Sequence, residues 1–369
     1  MLKNNFCNYY DQGLFIGSDS YGDPILSMCC WQQKEKVNKI IFDHPYLESI
    51  RKEGSEKIPQ QCSEYCRVSG LPTNEREQTR KESCWDNSGK KIKKLHLEQS
   101  LACNLGCISC STQYSSYWNK EYHHFVPDSP IIKLKKNPEQ SWKHLDLSYL
   151  SALHFTGGEP LMNPDNKKIL RHLNEIGRLS EVNVTYNTNG TILPDDELTD
   201  LWKKCQYIRL HISLDGVGST FEYTRYPAKW AEVVNNIKLL TEMKDICIII
   251  GINAVVGIHN IFNMLAFYNY WKSECQFGSQ GDPTHALLRH IDPISYGGKV
   301  LSLTNLPNEY KRDAIDMLQS IKDLDGAEQL IPILSTKTSN EWVEYLDKLD
   351  KLRKLNWRKQ LMGPITKYG

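Results

Sequence analysis

The stretch Ile208-Arg209-Leu210-His211-Ile212-Ser213-Leu214-Asp215 alternates strictly between aliphatic and polar residues. Because side chains along a β-strand point to opposite faces with a period of two, one face of this strand is apolar and the other is polar. The apolar face fits against helices. The polar face favours a polar ligand, since an ordinary barrel fills its lumen with branched apolar side chains. A sheet with one solvent-exposed face is the alternative, but that pattern is typical of antiparallel sheets.

Similar β runs and amphipathic helical segments alternate on both sides of this stretch. Strands that alternate with helices predict βαβ units and a parallel sheet. We expect six strands, at Leu95–Leu101, Ala152–Thr156, Val182–Asn187, Ile208–Leu214, Ile246–Val256 and Ala286–Ile291. We expect helices near Asn166–Arg178, Glu197–Cys205, Trp230–Met243 and Ile258–Glu274, the first one introduced by Asn163-Pro164. The pattern predicts an α/β fold, a partial (β/α)6 barrel over residues 91–295.

Two further segments flank the predicted barrel. Residues 1–90 are rich in cysteine and form the first predicted domain, and residues 296–369 form a helical C-terminal extension. Helices are expected at Asn308–Lys322 and Asn340–Leu361. We expect the second helix to pack over the barrel through an apolar stripe, which consists of Trp342, Leu346, Leu349, Leu352 and Leu355.

The composition limits the functional classes. The formal net charge of the 369 residues is +1, so the chain shows no basic footprint for nucleic acid. It has no run of about 18 apolar residues and no signal segment, so we expect a cytoplasmic protein without a membrane contact. Thiols stay reduced there, so the twelve cysteines favour metal or cluster ligation over disulfides. Cys205 and Cys247 lie in apolar contexts and are expected to be buried, inert thiols.

The strongest chemical signal is the spacing of Cys103, Cys107 and Cys110, which follow the first predicted strand as C-x3-C-x2-C. A protein that fully ligates a [4Fe–4S] cube supplies four thiolates. Three closely spaced thiolates would leave one iron open, as catalytic metal sites keep a position free for substrate.

A second motif, Thr156-Gly157-Gly158-Glu159-Pro160, ends the next predicted strand. Glycines allow close approach of the backbone to a ligand, and the carboxyl ends of parallel strands are where α/β folds bind ligands. Together with the cysteine triad, this motif resembles the radical S-adenosylmethionine (SAM) superfamily. The resemblance implies that the three cysteines hold a [4Fe–4S] cluster and that Gly157, Gly158 and Glu159 hold the amino group of SAM.

The resemblance extends to later strand ends. It implies that Asn189, Ser213 and Asp215 contact the methionyl carboxylate and ribose of SAM, and that Asn253 contacts the adenosine. Arg225 is expected either to pair with a carboxylate or to form a surface salt bridge. His154 and His211 face the predicted lumen, and we interpret them as structural histidines.

The cysteines before the barrel resemble the auxiliary-cluster segment of the SPASM/twitch branch of the superfamily. The implied ligands of a second [4Fe–4S] cluster are Cys7, Cys29, Cys62 and Cys66, with Cys30 as an alternative to Cys29 and Cys84 as a further candidate. Two departures are that Cys62 and Cys66 are spaced C-x3-C and that the segment precedes the barrel. Zinc binding and unligated thiols remain alternatives.

The resemblance implies an iron–sulfur oxidoreductase that reductively cleaves SAM to a 5′-deoxyadenosyl radical and abstracts hydrogen from a substrate. A peptide or protein substrate is expected, with oxidation, crosslinking or epimerisation as the outcome. A small molecule, carbohydrate or nucleoside is the alternative substrate. A low-potential donor such as flavodoxin or ferredoxin would supply electrons. The competing hypotheses from other classes are a non-catalytic electron-transfer or metal-binding protein and a zinc-dependent nucleic-acid module.

Overall fold

The fold is taken from a computed structural model. It describes residues 13–18, 23–28, 34–38, 40–56, 91–98, 100–112, 114–125, 142–274, 286–293, 299–324, 326–335, 339–361 and 363–367. The strands in this part of the chain are β1 (Gly13–Ser18), β2 (Pro24–Ser27), β3 (Glu35–Lys36), β4 (Lys94–Glu98), β5 (Ala152–Thr156), β6 (Asn183–Thr188), β7 (Tyr207–Ser213), β8 (Ile248–Val256) and β9 (Ala286–Pro293). The α-helices are α1 (Pro45–Glu56), α2 (Ser116–Phe125), α3 (Pro164–Glu175), α4 (Asp196–Trp202), α5 (Gly218–Thr224), α6 (Trp230–Glu242), α7 (Met264–Asn269), α8 (Asn308–Ser320), α9 (Ala327–Leu330), α10 (Glu341–Arg353) and α11 (Trp357–Gln360).

The strands form one sheet in the order β3-β2-β1-β4-β5-β6-β7-β8-β9. Strands β1, β4, β5 and β6 pair in parallel, as do β8 and β9, while β1–β2 and β2–β3 are antiparallel. The sheet does not close, since β3 and β9 stand at its two ends. From β4 onward each strand is followed by helix before the next strand. The predicted α/β fold with a partial barrel is therefore confirmed.

Burial confirms the alternating pattern in β5 and β7, whereas β4 buries His96 together with Leu95 and Leu97 and does not follow it. In β7 the side chains of Ile208, Leu210 and Ile212 are fully buried, and the intervening side chains are only partly buried. β5 shows the same alternation, with Leu153 and Phe155 buried between half-buried neighbours. Burial of such aliphatic and aromatic side chains contributes roughly 1.5–3 kcal/mol each to folding.

The chain divides into two compact units, which we describe separately. Unit 1 comprises Met1–Ser100, Ile132–Tyr186 and Asp195–Ile208, and unit 2 comprises Leu101–Ile131, Asn187–Pro194 and Arg209–Gly369. Strands β6 and β7 contribute residues to both. The division does not follow the predicted boundaries near residues 90 and 295, which stay a prediction.

Local signals place the helix starts. Asn163 caps α3 by accepting a hydrogen bond from the amide of Asp165 at 3.1 Å, and Pro164 occupies the first turn. Asp195 caps α4 in the same way through the amide of Leu198 at 3.0 Å. These caps move both helix starts toward the N-terminus of the expected ranges.

The first predicted strand ends at Glu98 instead of Leu101. The carbonyl of Ser100 accepts a hydrogen bond from the amide of Gly158 at 2.8 Å, and that of Leu101 accepts one from Ser116 at 2.7 Å. Both carbonyls therefore serve turns instead of the strand ladder.

The prediction of one helix over Asn340–Leu361 is wrong. Helix α10 ends at Arg353 and is followed by Lys354, whose φ of 55° lies in the left-handed region, and α11 follows after a short turn. Asp350 stabilises the break, because its Oδ2 accepts a hydrogen bond from the amide of Trp357 at 2.7 Å. Trp342, Leu346 and Leu349 of the predicted stripe are buried, whereas Leu352 and Leu355 are only half-buried.

The prediction of a single helix over Ile258–Glu274 is also wrong. A 3-10 turn at Ile261–Asn263 precedes α7, and a π-helical segment at Tyr270–Glu274 follows it. Asn260 and Asn263 use their side chains to bond the backbone of other segments, including the amides of Gly257 and Val217 at 2.8 Å. Such side chains compete with helix formation.

Strands in the cysteine-rich segment are absent from the sequence predictions. β1 extends the sheet beside β4, with Phe15 in register with His96. Its residues Leu14, Phe15 and Ile16 are fully buried. Among the helices in the described part of the chain, none is both long enough and apolar enough to cross a membrane.

Candidate iron–sulfur and SAM site

The loop that carries Cys103, Cys107 and Cys110 lies in unit 2, after β4 and before α2. Its backbone is held by the C-terminal end of α5, since the amides of Gly106 and Ile108 donate to the carbonyls of Tyr226 and Thr224 at 2.8 and 2.9 Å. Trp118 of α2 donates from its ring nitrogen to the carbonyl of Cys107 at 2.5 Å. The loop conformation is therefore fixed by protein groups, which preorganises its thiols.

Nitrogen donors point at two of the three sulfurs. The amide of Leu105 and the side-chain amide of Asn189 donate to Cys103 Sγ at 3.5 and 4.0 Å. Arg225 donates from Nη1 to Cys107 Sγ at 3.8 Å. Hydrogen bonds of this kind to ligating sulfurs are among the features that tune iron–sulfur clusters.

Burial keeps Cys107 and Cys110 protonated when no metal is bound. It raises the pKa of Cys107 to about 12, although the nearby Arg225 guanidinium opposes the increase. It also raises the pKa of Cys110 to about 12, with a smaller contribution from the Cys103 thiol. Ligand thiols must lose their protons, so cluster assembly would release protons here.

The donor set fits a [4Fe–4S] cluster. All three cysteines are free of disulfides and share one loop, and N–H donors reach the sulfurs of Cys103 and Cys107. Among the described residues, no group of three or more Cys, His, Asp or Glu converges on a single metal ion. A cube does not need such convergence, because each cysteine binds a different iron.

Asn189 follows β6 and links the cysteine loop to the next turn. Its Nδ2 donates to Asn104 Oδ1 at 2.9 Å, and its Oδ1 accepts from the amide of Thr191 at 2.9 Å. Asn104 in turn donates to Thr191 Oγ1 at 2.8 Å. The predicted SAM contact of Asn189 stays a prediction, and the structure adds a contact with Cys103 that was not expected.

Asp215 and Arg225 form a buried ion pair. Arg225 Nη2 lies 2.9 Å from both carboxylate oxygens of Asp215, and the side chain of Asp215 is fully buried. The carboxylate also accepts from the amide of Val255 at 2.9 Å and from the hydroxyl of Ser109 at 3.4 Å. The expectation that Arg225 pairs with a carboxylate is therefore met by Asp215, and the surface salt bridge is excluded. The role of Asp215 as a SAM contact stays a prediction.

The other predicted residues of unit 2 lie at strand positions. Ser213 is half-buried at the end of β7. Asn253 is half-buried in β8, beside an irregularity in the pairing of β8 with β9, and its carbonyl accepts from the amide of Leu214 at 2.8 Å. Their predicted SAM contacts stay predictions.

The predicted amino-group site of Gly157, Gly158 and Glu159 lies in unit 1. Gly157 has a φ of +113°, and a Cβ at this position would lie 2.5 Å from the carbonyl oxygen of Ser100. Only glycine fits such a turn. Glu159 is 1% exposed and caps the next 3-10 turn through the amide of Leu161 at 3.0 Å.

Unit 1 also carries the polar face of β4 and β5. His96 stacks on His154 with ring centroids 4.3 Å apart, and His96 Nε2 lies 2.7 Å from Thr156 Oγ1. Burial lowers the pKa of His96 and raises the pKa of Glu98 to about 7. The interpretation of His154 and His211 as structural histidines stays a prediction.

Other cysteine predictions have mixed outcomes. Cys205 is partly buried, with a pKa raised to about 12 by burial, whereas Cys247 is exposed. The expectation of a buried Cys247 is wrong, because its neighbours Ile246 and Ile248 take the inward positions. The predicted auxiliary ligands lie outside the described residues, and they are Cys7, Cys29, Cys62 and Cys66, with Cys30 and Cys84 as the further candidates.

Arg353 of α10 also contacts the cysteine loop, which no sequence pattern predicts. Its Nη2 donates to the carbonyl of Gly106 at 2.6 Å and to Glu121 of α2 at 2.6 Å. No local pattern around Arg353 indicates this contact. Asn104 is likewise not predicted, although this residue lies inside the quoted triad.

The comparisons with known proteins agree with this site. Residues 98–260 match the family model of the radical SAM superfamily. This matched region, less than half of the 369-residue chain, contains the three cysteines of the loop and the Gly157-Gly158-Glu159 motif.

Sequence relatives cover only part of the chain. The GTP 3′,8-cyclase of Clostridium acetobutylicum is 28% identical over 134 residues, which are 36% of this chain and 38% of the relative. The 7-carboxy-7-deazaguanine synthase of Thermoplasma acidophilum is 33% identical over 90 residues, which are 24% of this chain and 34% of the relative. The chain thus matches less than two fifths of the length of these curated relatives.

Solved structures show a weaker likeness. A structure of anSMEcpe with bound AdoMet has a TM-score of 0.40 and 16% identity, and the match covers 63% of this chain and 57% of that one. Streptococcus suis SuiB has a TM-score of 0.37 and 13% identity, with 94% of this chain and 78% of that one covered.

Proposed function

We propose that this protein reductively cleaves SAM and uses the resulting radical to abstract a hydrogen atom from a substrate. The observation that carries the proposal is the loop of Cys103, Cys107 and Cys110, in which the sulfurs of Cys103 and Cys107 accept protein N–H donors, within a region that matches the radical SAM superfamily. When bound there, a [4Fe–4S] cluster with SAM at its open iron supplies the electron that breaks the sulfonium C–S bond.

The protein's part in this reaction is to bind the cluster, to orient the cysteine sulfurs and to exclude water from them. The three cysteines would bind the cluster, and Asn189 and Arg225 orient the sulfurs of Cys103 and Cys107. The burial of Cys107 excludes water from its sulfur, which strengthens the nearby charge interactions.

SAM itself would be held by the strand ends named in the sequence analysis. We assign the amino group to Gly157, Gly158 and Glu159, and the carboxylate, ribose and adenine to Asn189, Ser213, Asp215 and Asn253. These assignments are supported by motif position. They are tested by SAM-binding measurements on the reconstituted protein, and unchanged affinity in Glu159→Gln and Ser213→Ala would contradict them.

We propose a peptide or protein substrate. The support is the cysteine-rich segment before the barrel, which resembles the SPASM/twitch branch. A nucleotide is the second candidate, because the sequence relatives are named GTP 3′,8-cyclase and 7-carboxy-7-deazaguanine synthase. Substrate-dependent 5′-deoxyadenosine formation separates the two. Stimulation by GTP and not by a peptide library would contradict the peptide proposal.

We further propose a second [4Fe–4S] cluster on Cys7, Cys29, Cys62 and Cys66. It would exchange electrons with the substrate radical or with the first cluster. Anaerobic reconstitution and iron counting test this, since two cubes hold about eight irons and one holds about four. Cys62→Ala should bring the count from about eight to about four, and an unchanged count would contradict the auxiliary cluster.

The central experiment is a dithionite-driven assay for 5′-deoxyadenosine, later repeated with a flavodoxin or ferredoxin as donor. Cys107→Ala should abolish cluster-dependent SAM cleavage, because one of three ligands is lost. Cys247→Ala is the matched control, since this exposed thiol lies outside the loop and should leave activity unchanged. SAM cleavage that survives in Cys107→Ala would overturn the proposed function. A wild-type cluster that never cleaves SAM would favour the electron-transfer alternative.

A further inference from the structure

Arg225 is not among the predicted SAM-binding residues, but it contacts one of the cysteines of the loop. Its side chain is buried, and its Nη1 donates to Cys107 Sγ at 3.8 Å. Its Nη2 is held by the Asp215 carboxylate at 2.9 Å. The guanidinium thus connects a buried carboxylate with the sulfur of a candidate cluster ligand.

Asp215 fixes this guanidinium from a rigid base. Its Oδ1 also accepts from the amide of Val255 in β8 at 2.9 Å, and its carbonyl accepts from Asn260 Nδ2 at 2.8 Å. A guanidinium held in this way loses little conformational freedom when it donates to a third group. The contact with Cys107 is therefore set by the fold and not by a mobile side chain.

The charges around this contact indicate which oxidation state of the cluster it favours. The positively charged guanidinium donates directly to Cys107 Sγ through Nη1 at 3.8 Å, whereas the Asp215 carboxylate contacts Nη2 of the same guanidinium at 2.9 Å. Both groups are buried, so salt and water screen their charges only weakly. A cation and an N–H donor beside a ligating sulfur favour the cluster state with one more electron.

We propose that Arg225, held by Asp215, is a positioning residue that sets the reduction potential of the cluster through its N–H contact with Cys107. The inference rests on the proposed function, since it requires a cluster on the three cysteines. The step concerned is a one-electron reduction, in which dithionite is oxidised and the [4Fe–4S] cluster is reduced. Arg225 stabilises the reduced product and transfers neither a proton nor an electron.

The experiment measures the midpoint potential of the reconstituted cluster in a redox titration. The EPR signal of the reduced cluster reports how much of it is reduced at each potential. Arg225→Gln should decrease the ratio of reduced to oxidised cluster at a fixed potential by about tenfold, which is about 59 mV for a one-electron couple. Arg225→Lys should fall between this variant and the wild type, because it keeps the charge without the planar fork.

A double variant separates two effects on the reduction potential, namely loss of the N–H contact with Cys107 and loss of the buried ion pair. Arg225→Met with Asp215→Asn removes both buried charges, so it leaves no unpaired carboxylate. It should still show a lowered potential, since the N–H donor to Cys107 is absent. Wild-type potentials in both Arg225→Gln and the double variant would overturn the proposal.

Arg353→Gln provides the matched control. Arg353 is also a buried arginine that supports the cysteine loop, but it contacts the carbonyl of Gly106 and not a sulfur. It should decrease cluster loading without changing the potential. Two results would show that Arg225 acts only through the structure of the loop. One is an equal shift of potential in Arg353→Gln. The other is loss of the cluster in the double variant while Arg353→Gln keeps it. A wild-type protein without a four-iron cluster would contradict the proposed function itself.

Discussion

Arg353 donates from Nη2 to the carbonyl oxygen of Gly106 at 2.6 Å, although 247 residues separate them in the chain. The same guanidinium forms an ion pair with Glu121 and lies over the rings of Trp118 and Tyr226, at 5.1 and 4.9 Å from their centroids. Helix α10 is therefore a direct support of the loop that carries the cysteine triad. This is a role that the helical stripe of the C-terminal extension does not reveal.

Arg353→Ala should lower the free energy of unfolding by about 3–5 kcal/mol, because it leaves Glu121 and the Gly106 carbonyl without their buried partner. Denaturant unfolding of the protein measures this loss, and iron content after reconstitution should decrease in parallel. Arg358→Ala is the control, since its ion pair with Asp347 is exposed and contributes about 0–1 kcal/mol. Equal stability of the two variants would contradict this role of Arg353.

Gly157→Ala should destabilise the turn after β5 and weaken SAM binding. The added Cβ would lie 2.5 Å from the Ser100 carbonyl oxygen, and the φ of +113° is strained for alanine. Backbone strain alone costs about 1–3 kcal/mol. Gly177→Ala separates the two effects, because its φ is +70° but no atom lies within 4 Å of the new Cβ. A loss in unfolding free energy no larger than that of Gly177→Ala would show that the turn adapts.

Glu98 should make the protein less stable as the pH rises from about 4.5 to 7. Burial raises the pKa of Glu98 from 4.5 to about 7, so the folded state favours the protonated carboxyl. Its contribution is fully present below pH 4.5 and is lost as the pH passes 7. Glu98→Gln should therefore be more stable than the wild type at pH 8, by on the order of 3 kcal/mol. Urea unfolding of both proteins at pH 4.5 and pH 8 tests this. If the difference in unfolding free energy between Glu98→Gln and the wild type were the same at both pH values, the prediction would be wrong.

His259 should have the opposite effect on the acid side. Burial, assisted by Arg225 and opposed by Asp215, lowers the pKa of His259 from 6.5 to about 4. Its contribution to stability is present above pH 6.5 and is lost as the pH falls toward 4. Both ring nitrogens lack a hydrogen-bond partner in the described part of the chain, so an apolar replacement leaves no partner unsatisfied.

His259→Leu should accordingly gain about 2 kcal/mol relative to the wild type on going from pH 8 to pH 5. The measurement is thermal or urea unfolding of both proteins at the two pH values. The value at pH 8 serves as the internal control, because His259 is neutral there in both the folded and the unfolded chain. A difference that does not change with pH would contradict the depressed pKa.

Local patterns predict the fold of this chain well. The period-two alternation of β5 and β7 is a property of neighbouring residues, and burial follows it strand by strand. Asn163 and Asp195 cap their helices for equally local reasons. The break at Lys354 cannot be predicted in this way. Asp350 fits an uninterrupted helix in sequence, and only the structure shows that its carboxylate accepts a hydrogen bond from the amide of Trp357 beyond the break.

The candidate site is only partly readable from the sequence. The spacing of the three cysteines predicts their common loop, since they lie within eight residues of one another. The pairing of Arg225 with Asp215 and the contact of Arg353 with Gly106 are made in three dimensions by separate elements. Strand β1 likewise joins β4 across a long stretch of chain, and no turn signal connects them.

The contact between Arg353 and Gly106 has a consequence for protein synthesis. A ribosome that has translated Gly106 must add a further 247 residues before Arg353 exists. At ordinary elongation rates of about 5–20 residues per second, this interval lasts about 10–50 seconds. During that time the loop lacks the support of Arg353, so iron delivered to the nascent chain meets a less constrained site than iron delivered after release.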